Sequence, residues 1–452
     1  MDLTGKKVLV AGCGTSGAAA AALLREKGSE VLLFEGNERV DVEKLRGKYP
    51  AFAGLPVFVG ELPGEVLKEL SLAVFSPGIP TDLPFAEAIR EQGIPIWGEI
   101  ELACRFAKGK VAAITGTNGK TTTTALTGEI LKGCFSDVRV VGNIGIPYAS
   151  VASETTERTV TVAEISSFQM ETTDTFHPKV SAVLNITPDH LDRHHTMQRY
   201  IELKERITQN QTPSDLCVLN YEDRELREFG RRLSCRVLFF SSKRRLSSGI
   251  YLKGGVIWQE QDGHRRKIID VSELQLLGLH NYENVMAAAG IALGMGASRT
   301  CIAEALREFR GVEHRIEFVR ELRGVCFYND SKATNPDAAI RGIRAMERDT
   351  LLIGGGYDKQ NEFDEWIESF EGKVRRLVLI GQTREKIAAC AARHGFSAVT
   401  LCGSLREAVD FCAGEARDGE AVLLSPACAS WGDFVNYEER GKLFKQYVLG
   451  LE

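Results

Sequence analysis

Short apolar runs and longer amphipathic stretches alternate along most of the chain. KKVLVAG (6–12) has the length of a buried strand, GTSGAAAAALLREKG (14–28) reads as a helix ending at Gly28, and EVLLFEG (30–36) is a second strand. LAVFSPGIP (72–80) ends a later one. This grammar predicts βαβ units and a parallel sheet. It is expected to pause at IPIWGEIELACRFAKG, residues 94–109. A second series starts at Lys110 and runs through VAAITG, TVTVAEISS and VSAVLNIT, then a helical stretch near 197–210. It closes at GLHNYENVMAAAGIALGMG, 278–296. Within it, residues 237–277 alternate short strands with turn residues and predict a β-rich part. A third series follows FRGVEHRIEFV, with strands at VCFYNDS, TLLIGGG, RLVLIG and AVLLSPA and a helix at TREKIAACAARHGF. Each strand runs into Gly, Ser or Asp, as expected where the carboxyl edge of a sheet carries ligands. The expected fold is α/β in three domains: 1–98, 99–312 and 313–452.

The length of 452 residues agrees with about three domains, and 44% apolar with 26% charged residues is ordinary for a globular chain. A net charge of −5 without a Lys/Arg block argues against nucleic acid as a partner. KRR (243–245) and HRR (264–266) read as solvated loops and strand ends. No apolar run reaches the ~18–20 residues of a membrane span. The N-terminus enters a strand directly, without a signal-peptide pattern, so a cytoplasmic location is expected. Eleven cysteines, scattered and without a C-x-x-C pair, are expected as reduced thiols rather than metal ligands.

Three glycine-rich turns follow strands. G12-C-G14-T-S-G17 opens a helix, and Glu35 ends the next strand 18 residues beyond Gly17. Together they match a diphosphate-binding fingerprint, or else a structural tight turn. VAAITGTNGKTTTTAL (111–126) resembles a nucleotide loop, but only Thr117 and Asn118 separate Gly116 from Gly119. The helix N-terminus, Lys120 and the Thr121 hydroxyl still suit phosphates and Mg²⁺. LLIGGGYDK (351–359) places Lys359 beside a third turn.

Other residues qualify one at a time. Glu164, ending a strand after the phosphate loop, is placed to hold Mg²⁺ or to sit at a helix start. Asp189 and His190 follow a strand, where zinc, Mg²⁺ or a substrate oxygen are all open; His194 and His195 read as surface histidines. Lys204 reads as an ordinary solvated lysine. NDSKATNPDA (329–338) and LLSPACASWGDF (423–434) are polar loops that together point to a ligand pocket.

In this order, GTNGKTTTT, GNIGIP (142–147), EISSFQME (164–171), NITPDHLDRH (185–194), GLHNYENVMAA (278–288) and EHR (313–315) resemble the Mur ligases. These are ATP-dependent amide ligases of bacterial cell-wall precursor synthesis. The resemblance covers the whole chain and accounts for the compact loop. It implies a Rossmann-like UDP-binding domain, a P-loop-type ATPase domain and a Rossmann-like C-terminal domain. It also implies UDP-N-acetylmuramoyl-L-alanine as donor and, from NDSKATNPDA and LSPACASWGDF, D-glutamate as acceptor.

On matching positions, the resemblance assigns Gly116, Thr117, Asn118, Gly119, Lys120, Thr121, Thr122, Asn281, Asn284, Arg315 and Asp330 to ATP. Thr121, Glu164, His190 and a carbamylated Lys204, formed with CO2, would serve two Mg²⁺ ions. Lys120, His190 and Lys204 would be catalytic. Cys13, Gly14, Thr15, Ser16, Glu35, Gly36, Asn37, Ser76, Pro77, Gly78, Asn143 and Ser166 would face the UDP-sugar. His190, Lys332, Thr334, Lys359, Ser430 and Tyr437 would face D-glutamate. Gly36-Asn37 and GGYDKQNEF depart from the family's usual residues. A monomer is expected. Competing readings are an NAD oxidoreductase, which leaves 111–452 unexplained, a non-catalytic nucleotide sensor, and the related folylpolyglutamate synthases.

Overall fold

The computed structural model describes residues 2–276 and 278–452. Its described residues form three sheets. The first contains β1 (Lys7–Ala11), β2 (Glu30–Glu35), β3 (Val57–Val59), β4 (Leu72–Phe75) and β5 (Ile96–Gly98) in the order β3-β2-β1-β4-β5. All its pairings are parallel. β1 is apolar at successive positions because it is buried on both faces, and the reversal of strand order beside it leaves a crevice at its carboxyl end.

The second sheet contains β6 (Lys110–Thr115), β7 (Val138–Gly142), β8 (Val160–Glu164), β9 (Val180–Val183), β10 (Leu216–Asn220) and β11 (Arg236–Ser241). β12 (Gly249–Lys253), β13 (Val256–Gln261) and β14 (His264–Asp270) complete it. The order is β14-β13-β12-β11-β10-β9-β6-β8-β7. The β12-β13-β14 edge is antiparallel, which is the β-rich part read in 237–277. The third sheet contains β15 (Glu317–Leu322), β16 (Val325–Asn329), β17 (Thr350–Gly355), β18 (Val374–Ile380), β19 (Val399–Leu401) and β20 (Ala421–Leu424). Its order is β15-β16-β20-β17-β18-β19, parallel except for the β15 edge.

The chain divides into two compact units. One comprises residues up to Val271 with Glu283–Leu306, and the other Ser272–Tyr282 with Arg307–Glu452. The first two sheets lie in the former and the third in the latter.

The expected pause at 94–109 is absent. Ile96–Gly98 is strand β5 and Glu99–Phe106 a helix, so the βα alternation continues. The pattern was masked by two buried acids. The Glu101 carboxylate accepts from the Asp174, Thr175 and Phe176 backbone N–H groups and from the Thr175 hydroxyl. Glu99 accepts from the Ala149 N–H at 2.6 Å, and burial pushes its carboxyl up to about 7.

The expectation of reduced thiols fails for one pair. Cys134 ends the Lys120–Cys134 helix and is disulfide-bonded to Cys301 on the Arg299–Glu308 helix, 167 residues away in sequence. The other nine cysteines are free. A pair so distant in sequence carries no spacing signal; only the fold brings the two Cα atoms to 6.4 Å. Among the described residues, no helix is long and apolar enough to cross a membrane.

Candidate functional site

The nucleotide-type loop connects β6, which lies between β9 and β8 in the second sheet, to the Lys120–Cys134 helix. Gly119 caps that helix at φ 82°, and a Cβ there would lie 2.3 Å from Asn284 Oδ1, so only glycine fits. Neighbouring residues brace the loop. The Thr117 N–H donates to the Asn185 carbonyl, the Asn118 N–H donates to Asn185 Oδ1, and the Thr117 hydroxyl lies 3.0 Å from the Tyr200 hydroxyl. Lys120 Nζ donates to the Gly116 and Thr117 carbonyls at 2.8 and 3.0 Å. Thr121 and Thr122 are buried in the first helical turn.

Lys204 is not solvated. It lies on the Met197–Glu205 helix and is 1% exposed. Its Nζ donates to the Gly116 carbonyl at 2.8 Å and sits 4.5 Å over the Tyr200 ring. Lys120 and Lys204 therefore share one carbonyl. Burial, and next the Lys120 charge, hold the Lys204 amine well below its ordinary range, with Asp189 opposing.

Glu164 ends β8 and is buried. Its Oε1 accepts from Asn143 Nδ2 at 2.8 Å, whereas the buried Oε2 has no hydrogen-bond partner among the described residues. A carboxylate oxygen left unsatisfied in this way is costly unless a cation meets it. Ser166 caps the next helix and exchanges hydrogen bonds with Gln169. His190 has φ 53°, packs on Phe168 with ring centroids 4.8 Å apart, and places Nε2 3.5 Å from Asp189. His195 is exposed, as expected. His194 is not: it is buried, its Nε2 lies 2.9 Å from Ser167 Oγ, and burial lowers its pKa. Asn281 and Asn284 are buried on the Leu279–Met295 helix, and Asn284 Oδ1 accepts from Thr123 Oγ1.

In the first sheet, the 12–17 turn follows β1 and leads into the Thr15–Glu26 helix. A Cβ on Gly17 would lie 1.9 Å from the Gly12 carbonyl, so the close approach of helix to turn requires glycine. The Glu35 carboxylate accepts from the Cys13 and Asn37 N–H groups at 3.2 and 3.1 Å, and Ser76 Oγ donates to the Gly12 carbonyl. These contacts bring Cys13, Glu35, Asn37 and Ser76 together. Gly36 lines an adjacent apolar cavity of about 440 Å³, walled by Phe34, Leu62, Leu83 and Phe85, which the sequence did not single out. The Ser76–Gly78 turn is tied by Arg193 to the segment that follows β9. This residue donates to the Gly78 and Ile79 carbonyls and pairs with Glu171 at 2.7 Å.

In the other unit, the site residues gather at the carboxyl ends of β16, β20 and β17. Asp330 Oδ2 accepts from Ser425 Oγ at 2.8 Å, and burial raises its carboxyl to about 7, with Arg315 opposing. Lys332 Nζ lies 5.2 Å over the Tyr437 ring, and Lys359 Nζ lies 4.4 Å over the Trp431 ring. The Tyr357 N–H donates to the Ala429 carbonyl and joins the two loops that carry Lys359 and Ser430. Thr334 is half-buried in the loop after β16, where its N–H donates to the Lys332 carbonyl.

Sequence reasoning missed Arg440. It is fully buried, and its guanidinium donates to Ser331 Oγ, the Ser331 carbonyl and the Cys428 carbonyl. It thereby fixes NDSKATN against SPACAS. An arginine eight residues beyond a Trp-Gly turn carries no local sign of burial.

Comparison with known proteins agrees with this layout. Models of the MurD-like Mur ligase N-terminal domain, the Mur ligase middle domain, and the Mur ligase glutamate ligase domain match residues 6–98, 114–292 and 314–428. A protein named UDP-N-acetylmuramoylalanine–D-glutamate ligase from Lachnoclostridium phytofermentans is 54% identical over 452 residues, covering 100% of both chains. One of the same name from Thermoanaerobacter pseudethanolicus is 46% identical over 453 residues, again covering 100% of both. Among solved structures, the UDP-N-acetylmuramate-alanine ligase MurC of Thermotoga maritima shares the fold, with TM-score 0.60, 20% identity and 98% of each chain covered. MurF ligase of Thermotoga maritima, solved with ADP, matches with TM-score 0.58 and 17% identity over 99% of this chain and 96% of its own.

Proposed function

The chain belongs to the Mur ligase family, and from that premise we propose that it joins D-glutamate to UDP-N-acetylmuramoyl-L-alanine. ATP is cleaved to ADP and phosphate, and the product is a peptidoglycan precursor. The relatives' shared name supports donor and acceptor. The observation that carries the acceptor is the pair of ammonium groups at one sheet edge, Lys332 over Tyr437 and Lys359 over Trp431. Two spaced cations suit an amino acid with two carboxylates. Ser430, Thr334 and the Tyr437 backbone supply the remaining polar groups. The oxidoreductase reading falls away, because the matched domains are ligase domains.

The three-part division is kept as a division of labour. Residues 1–98 take UDP through the 12–17 turn, Glu35–Asn37 and Ser76–Gly78. Residues 99–312 take ATP, with Asn143 and Ser166 toward the muramoyl group, and residues 313–452 take the acceptor. Arg315 and Asp330 border ATP there.

The donor set near the loop fits Mg²⁺: Glu164 Oε2, which has no hydrogen-bond partner among the described residues, the Thr121 hydroxyl and, once carbamylated, Lys204, with His190 serving a second ion. Bound Mg²⁺ would offset charge on the phosphates. The loop N–H groups and Lys120 hold the terminal phosphates in line with the L-alanyl carboxylate. A carboxylate oxygen attacks the γ-phosphorus, the bond to the bridging oxygen breaks, and ADP leaves an acyl phosphate. The D-glutamate amine then attacks the acyl carbon, loses a proton, and phosphate departs with the amide formed. Lys120 stabilises the charge that moves between these anions. The same reading places the enzyme in the cytoplasm, where ATP is, acting as a monomer.

The test is phosphate release with ATP, Mg²⁺ and UDP-N-acetylmuramoyl-L-alanine in bicarbonate buffer. D-glutamate is expected to support release, and L-glutamate and D-aspartate to fall short by at least about 10²-fold. Preference for another acceptor would overturn the assignment of Lys332 and Lys359. No release with any acceptor would return the nucleotide-sensor reading.

A further inference from the structure

Far along the chain from the nucleotide loop, the Arg384–Arg393 helix carries Cys390 and is capped by His394. The spacing of four puts both side chains on one face. Facing them is Asp364, first residue of the short Asp364–Glu368 helix. His394 Nε2 lies 2.8 Å from Asp364 Oδ1, and its Nδ1 lies 3.5 Å from Glu368 Oε1. Ligand atoms of Asp364, Cys390 and His394 all lie within 4.8 Å of one another. In a tetrahedral zinc site with bonds of about 2.0–2.3 Å, ligand atoms stand roughly 3.3–3.8 Å apart, so small side-chain rotations suffice.

We propose that Asp364, Cys390 and His394 form a binding site for a borderline-soft divalent cation, with Zn²⁺ the best match. The ligands are Cys390 Sγ, His394 Nε2 and an Asp364 oxygen, and water takes the fourth position. A thiolate, an imidazole and a carboxylate are a set that Mg²⁺ does not favour and Zn²⁺ does. Glu368 stands where metal-bound histidines keep a carboxylate, on the other ring nitrogen, which would fix the ring with Nε2 toward the metal. On binding, the Cys390 thiol gives its proton to solvent and the sulfur bonds to the cation. Arg393 Nη2, 3.3 Å from Asp364 Oδ1, competes for that oxygen and leaves Oδ2 to the metal. Because Asp364 directly follows the loop that carries Lys359, occupancy would pin the downstream end of that loop. A second cluster, Glu313, His314 and Glu317, offers no such room, since Lys445 Nζ already lies 2.7 and 2.8 Å from its two carboxylates.

The competing account is a surface Asp–His pair beside a buried thiol. Metal-free full-length protein, with the Cys134–Cys301 disulfide intact and the other thiols unoxidised, is titrated with Co²⁺, without nucleotide. The proposal expects a near-ultraviolet thiolate-to-cobalt band that saturates at one equivalent and disappears when Zn²⁺ is added. Cys390→Ser should abolish the band, and His394→Gln or Asp364→Asn should weaken Co²⁺ binding by at least about tenfold. Cys104→Ser should leave the band intact. Oxygen-ligated Co²⁺ at the nucleotide loop gives no such band. If Cys390→Ser fails to fold, the two partly exposed positions carry the test. No band in the native protein, or a band that survives in the Cys390, His394 and Asp364 variants alike, overturns the proposal.

Discussion

Lys204→Ala is expected to reduce ligation on the order of 10³-fold and to recover part of it with acetate or formate. An ammonium that is 1% exposed, bonded to the Gly116 carbonyl and repelled by Lys120, is out of place. Desolvation removes its proton more easily, so at neutral pH more of it is free amine than of any solvated lysine. On the proposed carbamate, the free amine would add CO2, form the N–C bond and release one proton, and so would replace a misplaced cation with an anion beside Lys120. The sign follows: acidification returns the amine to ammonium and blocks the addition, while bicarbonate and rising pH favour it. Alanine removes both forms, and a small carboxylic acid diffusing into the space restores the anion. Circular dichroism and UDP-substrate binding separate this from misfolding. A variant that stays active, or an inactive folded one that no acid rescues, would rule out the carbamate.

Lys120→Ala is expected to lower kcat by roughly 10³-fold while binding of UDP-N-acetylmuramoyl-L-alanine stays within about twofold. The Lys120 ammonium rests on the Gly116 and Thr117 carbonyls, weak partners that a phosphate oxygen displaces at small cost. On the proposed placement of ATP, its charge would act where the transferred group becomes most negative. The donor's UDP group is assigned to the first sheet, with no part for Lys120, so the loss should fall on turnover. A loss confined to donor binding would contradict the placement of ATP at this loop.

The glycine turns and strand ends were legible because their signals are local. Positive φ at Gly119 demands glycine, a cation and a hydroxyl follow at fixed offsets, and a strand precedes. The antiparallel edge showed through its turn residues. Legibility failed where tertiary packing decides. Lys204 lies on a helix whose polar residues look solvated, and it is buried where its amine meets the Gly116 carbonyl in the loop after β6. His194, Arg193, Glu171 and Arg440 likewise gain their partners from segments distant in sequence. Glu99 and Glu101 misled in the opposite direction, because buried acids paired with backbone N–H groups interrupt an apolar pattern without ending the fold. The family resemblance reached Lys204 before the physics did, since it reads position rather than burial.

The account turns on an acyl phosphate, and the fate of the donor's carboxylate oxygen tests it most directly. UDP-N-acetylmuramoyl-L-alanine labelled with heavy oxygen in the alanyl carboxylate is incubated with ATP, Mg²⁺ and D-glutamate, and the released phosphate is analysed by mass spectrometry. The account predicts one labelled oxygen in each phosphate released. Phosphate free of label, with amide product formed, would contradict it.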